Sequence, residues 1–257
     1  MASSTCIVIP HHSRLECLEK AIRSAKGYRV FLVDDSALGL SAQWPDVEQI
    51  RTEGEQGFSV AANRGLRAAE AAGFDWVLLL NDDAELEGET VSLLLSEASK
   101  HEDVDALGPL LMGPDGLESA GFCLSPRTAR LVSRKDIPSQ PEDRIALSGA
   151  CLLVRSHLRF DEAFPHGFED VELGVRIRRG GRRSVLVPHA RCWHLGGATI
   201  SRRSPEATRG ALVGHLRLVG SSRPKRALVL GYAFGQVLKE GPRLSRLGAL
   251  WQGWRAG

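Results

Sequence analysis

One stretch of this sequence constrains the fold more than any other. Residues 76–83 read Trp-Val-Leu-Leu-Leu-Asn-Asp-Asp. Five large apolar residues in a row are too few for a helix of ordinary length, so they indicate a strand buried on both faces. That strand runs directly into Asn81, Asp82 and Asp83. Ligands of open α/β sheets bind outside the carboxyl ends of the strands, and these polar residues therefore mark a candidate site.

The two adjacent aspartates allow two interpretations. Carboxylates held together repel each other unless a cation or solvent offsets the repulsion. A hard divalent cation fits, because Mg²⁺ typically takes one or two carboxylates together with substrate phosphates. The alternative is a polar turn whose acids cap the following helix. This stretch alone favours neither interpretation.

Strand and helix patterns alternate through the first hundred residues. Short apolar strands are predicted at residues 6–10, 28–33, 47–50 and 76–80, and helical spacing follows most of them. Such alternation predicts an α/β fold with a mostly parallel central sheet flanked by helices. The regularity ends after Lys100, where short strands and a Gly-Pro-Asp-Gly turn predict a small antiparallel extension.

Three local features are predicted as well. Ser13 is the expected N-cap of the first helix. A strand is expected over residues 145–155, and its central Ser-Gly-Ala indicates that another group approaches the backbone closely. The last strand is expected over residues 184–187.

Charge is distributed unevenly along the 257 residues. The chain holds 33 Lys/Arg and 31 Asp/Glu, but from Arg202 onward there are eleven basic residues and only two acids, Glu206 and Glu240. The basic residues are interleaved with leucine, valine and tryptophan, which predicts amphipathic helices that lie on an anionic membrane surface. This tail is too apolar for us to prefer nucleic-acid binding. An equally weighted alternative is that its apolar face packs on the rest of the chain or on a partner in a homodimer.

Cysteine usage and the terminus bear on the compartment. The five cysteines are odd in number, are widely spaced and include no Cys-x-x-Cys, which indicates free thiols in a reducing environment. The first residues lack a basic segment followed by an apolar run of signal-peptide length. We therefore expect a cytoplasmic protein, with peripheral contact to the inner face of the membrane as the role open to the tail.

Several polar residues follow predicted strands and are expected to share one edge of the sheet: His11, Asp34, Asp35, Asp82 and Asp83. Each has a structural alternative, because histidines and aspartates are ordinary residues of loops and turns.

A second group of candidate residues lies later in the chain. Glu169 and Asp170 open a predicted helix, where acids are stabilised by the macrodipole by about 0.3–1 kcal/mol each without any chemistry. His194 follows Trp193, and a packed histidine is its structural alternative.

Taken together, five segments resemble the inverting glycosyltransferases of family 2, which have the Rossmann-like GT-A fold, and especially their rhamnosyltransferase-like branch. The segments are Val-Asp-Asp-Ser at 33–36, Gly-Phe-Ser-Val-Ala-Ala-Asn-Arg-Gly at 57–65, Leu-Asn-Asp-Asp at 80–83, Phe-Glu-Asp-Val-Glu-Leu at 168–173 and Trp-His at 193–194. The resemblance covers about residues 4–200. It implies a glycosyltransferase domain over 1–200, with nucleotide-sugar binding in about 1–100 and the acceptor part in 101–200. Residues 201–257 then form a helical extension.

The resemblance also implies a donor site with a divalent cation, Mn²⁺ or Mg²⁺. Asp83 is similar to the residue that binds the metal on the donor diphosphate, and His194 to a further metal ligand. Asn81 stands where many members have the first aspartate, which implies weaker or indirect coordination there. Asp82 completes this motif as a donor-binding candidate.

The same resemblance also implies which residues bind the nucleotide. Asp34 resembles the residue that binds the nucleobase or ribose, helped by Pro10, His11 and Asn63, and Asp35 lies beside it.

Asp170 resembles the catalytic base, and Glu169 the residue that holds the acceptor or the helix start. The implied reaction transfers a sugar from a nucleotide-diphosphate sugar to a saccharide, lipid-linked or small-molecule acceptor, with inversion.

Two other functions stay open at this stage. One is a sugar nucleotidyltransferase, although the N-terminal region lacks a Gly-rich phosphate loop with a lysine. The other is a non-catalytic subunit of a glycan synthase that binds the nucleotide-sugar without turnover.

Overall fold

The computed structural model describes residues 4–41, 43–124, 131–164, 167–196, 205–220, 222–239 and 244–256. The strands are β1 (Thr5–His11), β2 (Val30–Asp34), β3 (Val47–Arg51), β4 (Trp76–Leu80), β5 (Ala84–Leu86), β6 (Val104–Gly113), β7 (Gly116–Ser119), β8 (Phe122–Leu124), β9 (Leu131–Ser133), β10 (Glu142–Arg144), β11 (Cys151–Arg155) and β12 (Arg183–His194). The helices are α1 (Leu15–Ser24), α2 (Phe58–Ala71), α3 (Thr90–Ala98), α4 (Glu169–Arg179), α5 (Pro205–Val219), α6 (Arg223–Lys239) and α7 (Leu244–Ala256).

One large sheet organises the described residues. Its main path runs β10-β12-β6-β11-β4-β1-β2-β3, with β5 added to β12 and β7 to β6. β3, β2, β1 and β4 are parallel neighbours, whereas β11 runs antiparallel between β4 and β6. The predicted sheet is confirmed, and so is the antiparallel extension, which includes the separate pair β8–β9. The antiparallel insertion of β11 was not predicted.

Two apolar layers cover the sheet. In β4 every residue is buried, as the sequence predicts, and successive side chains face opposite layers. Leu78 packs in the layer that contains Leu18 of α1 and Leu94 of α3. Leu79 packs in the layer that contains Leu66 of α2 and Leu173 of α4. Helices on both faces leave the carboxyl ends of the central strands as the place where polar groups meet.

Three local predictions are corrected. The last strand was expected to end at Val187, but β12 continues to His194 because its end pairs with β5. The strand expected over residues 145–155 begins only at Cys151, which leaves residues 145–150 without regular structure. Ser13 was expected to cap α1, yet the N-cap is Arg14 and no side chain caps this end.

Helices α5, α6 and α7 have an apolar core of their own. It contains Leu212 and Leu216 of α5, Val229 and Val237 of α6 and Leu250 of α7. These residues of the tail therefore pack on one another, an arrangement that neither alternative named.

Other large apolar side chains of the tail stay exposed, among them Leu228, Phe234 and Trp251. Three of the tail's basic residues, Arg202, Arg203 and Arg243, lie outside the described part of the chain. In the part that is described, no helix combines the length and apolar character required to cross a bilayer. All five cysteines are free thiols, as predicted.

Candidate active site

The polar residues after β4 do lie at the carboxyl edge of the sheet. Asp82 Oδ2 accepts hydrogen bonds from His11 Nδ1, at 2.7 Å, and from the backbone N–H of His12, at 3.2 Å. Asp82 and His11 therefore join the ends of the neighbouring strands β4 and β1. Both residues are largely buried.

Asp83 and His194 also meet, although 111 positions separate them in the sequence. His194 Nε2 lies 3.2 Å from Asp83 Oδ1, and His194 Nδ1 lies 2.8 Å from Glu118 Oε2. Burial lowers the pKa of His194, but the hydrogen bonds and charges of the two carboxylates outweigh it and raise that pKa to about 10. Glu118 is a site residue that the sequence analysis missed, because only the pairing of β7 with β6 brings it here.

This edge fits a divalent cation. Asp83 Oδ1 and His194 Nε2, which lie 3.2 Å apart, are a carboxylate oxygen and an imidazole nitrogen, both of which bind divalent cations once the imidazole is neutral. Asn81 Oδ1 is buried and has no hydrogen-bond partner among the described residues. Among the residues that the structure describes, no group of three or more His, Cys, Asp or Glu side chains is arranged to hold a metal ion by itself. A cation here would take its remaining ligands from water and from phosphate oxygens.

Asp34 is held by its own loop. Its carboxylate accepts hydrogen bonds from the backbone N–H and hydroxyl of Ser36, from the N–H of Leu40 and from Arg51 Nη1. Burial raises its pKa, but these donors together lower it below the ordinary value. The predicted contact of Asp34 with a nucleobase or ribose stays a prediction.

Asp35 fixes the segment that leads into α2. Its carboxylate accepts hydrogen bonds from the backbone N–H groups of Gln56, at 3.0 Å, and Gly57, at 2.8 Å, and from the Thr52 hydroxyl. Gly57 has a φ of 94°, in the left-handed region that glycine adopts without strain. Asp35 therefore sets the approach to the helix start in the Gly-Phe motif.

The other two nucleotide-site candidates lie within the packed structure. Pro10 is buried in β1 opposite Val33, beyond the last residue that pairs with β4. Asn63 is 1% exposed, and its amide bonds both backbone groups of Phe160 and the carboxylate of Glu162. Asn63 thus ties α2 to the loop before α4, and its predicted role at the nucleotide stays a prediction.

Glu169 and Asp170 form a partly buried acid pair at the start of α4. Asp170 Oδ2 accepts a hydrogen bond from Gly149 N–H at 3.2 Å, and Oδ1 accepts one from Val171 N–H at 2.8 Å. Glu169 Oε2 is buried without a hydrogen-bond partner among the described residues. Burial raises the pKa of both carboxyl groups, and the charge of Asp170 raises that of Glu169 further.

The residue before this pair, Phe168, explains how it is held. Phe168 has a φ of 74°, which is rare for a residue with a side chain. Its ring lies 4.6 Å from the ring of His215 on α5. A Cβ added at Gly214 would come within 2.1 Å of the Phe168 ring, so glycine is required there. Helix α5 therefore supports the acid pair, a role that sequence patterns did not reveal.

Residues 148–150 connect the two groups of site residues. Asn81 N–H donates to Ala150 O at 2.9 Å, while Gly149 N–H donates to Asp170. A Cβ at Gly149 would lie 3.4 Å from the Phe58 ring and 3.7 Å from Asp170 Cβ. Asp170 approaches this backbone through its hydrogen bond to Gly149, but a Cβ at Gly149 would make only ordinary contacts, so the close approach predicted for the Ser-Gly-Ala segment does not require glycine.

The chain is similar to known bacterial proteins. The chain is 32% identical over 183 residues to an N-acetylglucosaminyl-diphospho-decaprenol L-rhamnosyltransferase of Mycobacterium tuberculosis, covering 59% of this chain and 60% of that protein. It is 26% identical over 233 residues to the O-antigen biosynthesis protein RfbC of Myxococcus xanthus, covering 78% of this chain and 18% of that one. The chain thus spans about 60% of the length of the rhamnosyltransferase that it matches.

Solved structures share the fold. The crystal structure of GalNAc-T7 with UDP, GalNAc and Mn²⁺ aligns with a TM-score of 0.65 at 17% identity, covering 99% of this chain and 55% of that one. Residues 1–349 of S. aureus TarS align with a TM-score of 0.62 at 14% identity, covering 97% and 80%. The predicted GT-A architecture is confirmed. A family model described as "Glycosyltransferase like family 2" matches residues 35–212. The chain belongs to that family.

Proposed function

We propose that this protein transfers a sugar from a nucleotide-diphosphate sugar to an acceptor hydroxyl with inversion, using Asp170 as the base. The observation that carries the proposal is the link made by residues 148–150. Through their backbone, the Asn81–Asp83 edge is connected to the carboxylate of Asp170. A donor group held at that edge and a proton acceptor at the start of α4 are the two parts that a direct displacement needs.

On the donor side, Asp83 and His194 are the proposed ligands of a divalent cation. When bound, such a cation neutralises the charge that develops on the departing nucleoside diphosphate. Glu118 accepts a hydrogen bond from Nδ1 of His194 and fixes the orientation of the ring. Nε2 faces Asp83 and would bind a metal after releasing its proton, since metal binding requires neutral imidazole. Asp82 and His11 hold the two strand ends that frame this position.

On the acceptor side, Asp170 takes the proton from the attacking hydroxyl. Burial raises its pKa, and a base whose pKa lies closer to the working pH transfers protons more effectively. The Gly149 N–H holds Oδ2 in place. Glu169 is the proposed contact to the acceptor, because its buried Oε2 has no hydrogen-bond partner among the described residues.

The test is the turnover of the Asp170→Asn variant. The amide keeps the shape of the side chain but cannot accept a proton, so kcat is expected to fall by about 10²–10⁴-fold. Nucleotide affinity is expected to stay unchanged. The matched control is Glu172→Gln, which removes a charge from the same helical turn and breaks only the exposed pair with Arg176.

Equal losses in the two variants would move the base elsewhere, with Glu169 the next candidate. Donor hydrolysis by the purified protein also separates the alternatives. A non-catalytic subunit would bind the nucleotide-sugar without consuming it, and a nucleotidyltransferase would release pyrophosphate from a nucleoside triphosphate and a sugar phosphate.

We further propose that the acceptor is carried on a lipid, since the mycobacterial relative is named for a diphospho-decaprenol acceptor. One face of α6 supports contact with a membrane. Leu228, Phe234 and Leu238 are 58%, 47% and 48% exposed. Phe234 and Leu238, four residues apart, lie on one side of the helix. Lys225 and Lys239 are exposed near its two ends. An apolar face with basic flanks suits the surface of an anionic bilayer.

Co-sedimentation with anionic vesicles tests this contact. The protein is expected to bind phosphatidylglycerol vesicles in low salt and to lose about tenfold in affinity when Phe234 and Leu238 are both replaced by serine, because less apolar area enters the interface. The control is Val132→Ser, at an exposed valine on β9, far from α6 in sequence. If both proteins sediment equally, α6 does not contact the membrane.

A further inference from the structure

A cavity of about 850 Å³ lies between α5, α7 and the segment before α4. Its walls include Phe164 and Gly167 from that segment, Arg209 and Arg217 from α5, and Gly248 from α7. The volume lies within the range of sites that hold small ligands, about 300–1,000 Å³. None of the candidate residues at the sheet edge lines this cavity.

We propose that this cavity binds the diphosphate group and first isoprenoid units of an amphiphilic acceptor. The proposal rests on the proposed function, which it deepens by assigning a place and a chemical class to the acceptor. Three properties of the cavity support it: the charge on one wall, the apolar residues on the others and the connection to Asp170.

Positive charge lines the wall that α5 provides. Arg209 and Arg217 are both exposed and lie eight residues apart, about 12 Å along the helix axis. Arg217 is 3.8 Å from Asp161 and lies over the Phe164 ring at 4.6 Å. The one acid on the lining, Glu162, is already bonded to Asn63 and Arg67. With Glu162 paired in this way, the net charge on this wall of the cavity is positive and favours an anion. Arginine binds phosphate oxygens in a bidentate manner.

Much of the rest of the lining is apolar or small, although Ser245 and Gln252 of α7 add polar groups. Phe164, Val213 and Ala249 give it apolar surface, and the glycines Gly210 and Gly248 leave the space between α5 and α7 open. A Cβ added at Gly248 would meet no atom within 4 Å. A hydrocarbon chain adjacent to a diphosphate matches such a lining, whereas a free inorganic anion uses only the arginines.

The cavity also borders the segment that carries the proposed base. Gly167 lines it directly and lies three residues before Asp170. Between them, Phe168 packs on His215 and Gly214 of α5. A diphosphate held against α5 would therefore place the sugar attached to it near the start of α4.

Calorimetry without divalent cations tests the proposal, with farnesyl diphosphate and inorganic pyrophosphate as probes. Farnesyl diphosphate is expected to bind at least tenfold more tightly than pyrophosphate. Gly248→Leu should weaken it at least tenfold by filling the cavity, while favouring the α7 helix. Replacing Arg209 and Arg217 together by alanine should weaken both probes. The controls are Gly231→Leu, at an equally open glycine of α6, and Arg178→Ala, in the last turn of α4.

Several outcomes would overturn the proposal. One is unchanged binding of farnesyl diphosphate to Gly248→Leu; another is an equal loss in the controls. Equal affinity for the two probes would exclude an amphiphilic ligand. Loss of binding to phosphatidylglycerol vesicles in Gly248→Leu would identify the site with a lipid headgroup instead. Failure of the proposed function is distinguishable, because it would appear as normal turnover by Asp170→Asn while binding of farnesyl diphosphate still depended on the cavity.

Discussion

Four acidic and amide side chains of the candidate site fall into two groups that differ in their hydrogen bonds. The carboxylates of Asp34 and Asp35 accept bonds from the loops around them. Asn81 and Glu169 each bury an oxygen atom that has no partner among the described residues. Buried polar atoms without partners are uncommon and costly. The comparison indicates that the first group shapes the site, whereas the second is available to ligands.

Among the variants that test this comparison, we expect the largest effect from replacing the proposed metal ligands. Asp83→Ala or His194→Ala should abolish the tightening of nucleoside diphosphate binding by Mn²⁺, a loss of about 100-fold or more, since even residues behind the ligands contribute about 10–100-fold. Calorimetry with and without Mn²⁺ measures it. His189→Ala, at an exposed histidine of the same strand, is the control. Metal-dependent binding that survives in both variants would remove Asp83 and His194 as ligands.

The next effect concerns the group that shapes the site. Asp35→Ala removes a buried acceptor and leaves the N–H groups of Gln56 and Gly57 without it. We expect a loss of roughly 2–3 kcal/mol in the free energy of unfolding, measured by urea denaturation. The control is Asp46→Ala, at an exposed aspartate, which should change the free energy of unfolding little. A stable Asp35→Ala protein that no longer binds nucleotide would instead assign Asp35 to the ligand.

The last prediction concerns how the stability of the protein depends on pH through Glu169. Burial raises the pKa of Glu169 in the folded protein, whereas a glutamate in the unfolded chain titrates near about 4.3. The folded protein thus binds this proton more tightly and loses stability as the pH rises from the unfolded pKa through the folded one. Glu169→Gln cannot ionise, so it should be more stable than the unchanged protein at alkaline pH, by at least about 1.4 kcal/mol, the value of one unit of pKa difference.

Near pH 4 the Glu169→Gln variant and the unchanged protein should be equally stable, because Glu169 is then protonated in the folded state. Urea denaturation at both pH values measures the difference. Glu172→Gln should show no gain at alkaline pH, since Glu172 is paired with Arg176. A gain from Glu169→Gln that is equal at both pH values would show that the charge of Glu169 is not its cause.

Prediction from the sequence succeeded where local pattern carries the information. The apolar run of β4 and the polar residues after it identified the central strand and its edge, because burial on both faces requires continuous apolar sequence. Prediction failed for hydrogen-bonded pairs whose two residues lie far apart in the sequence. Glu118 contacts His194 across 76 positions, and Asn63 bonds Phe160 across 97. No spacing along the chain encodes such pairs.

The sequence by itself determined the α/β class, the edge at which polar residues meet and the family that its motifs resemble. These features follow from periodicity and from short motifs, which are properties of neighbouring residues. Only the tertiary structure decided which of the polar residues are already engaged, since the strand order brings distant donors and acceptors together. The same is true of the cavity beside α5. It exists because three separate segments pack around small residues, and packing of distant segments is a property of the folded chain alone.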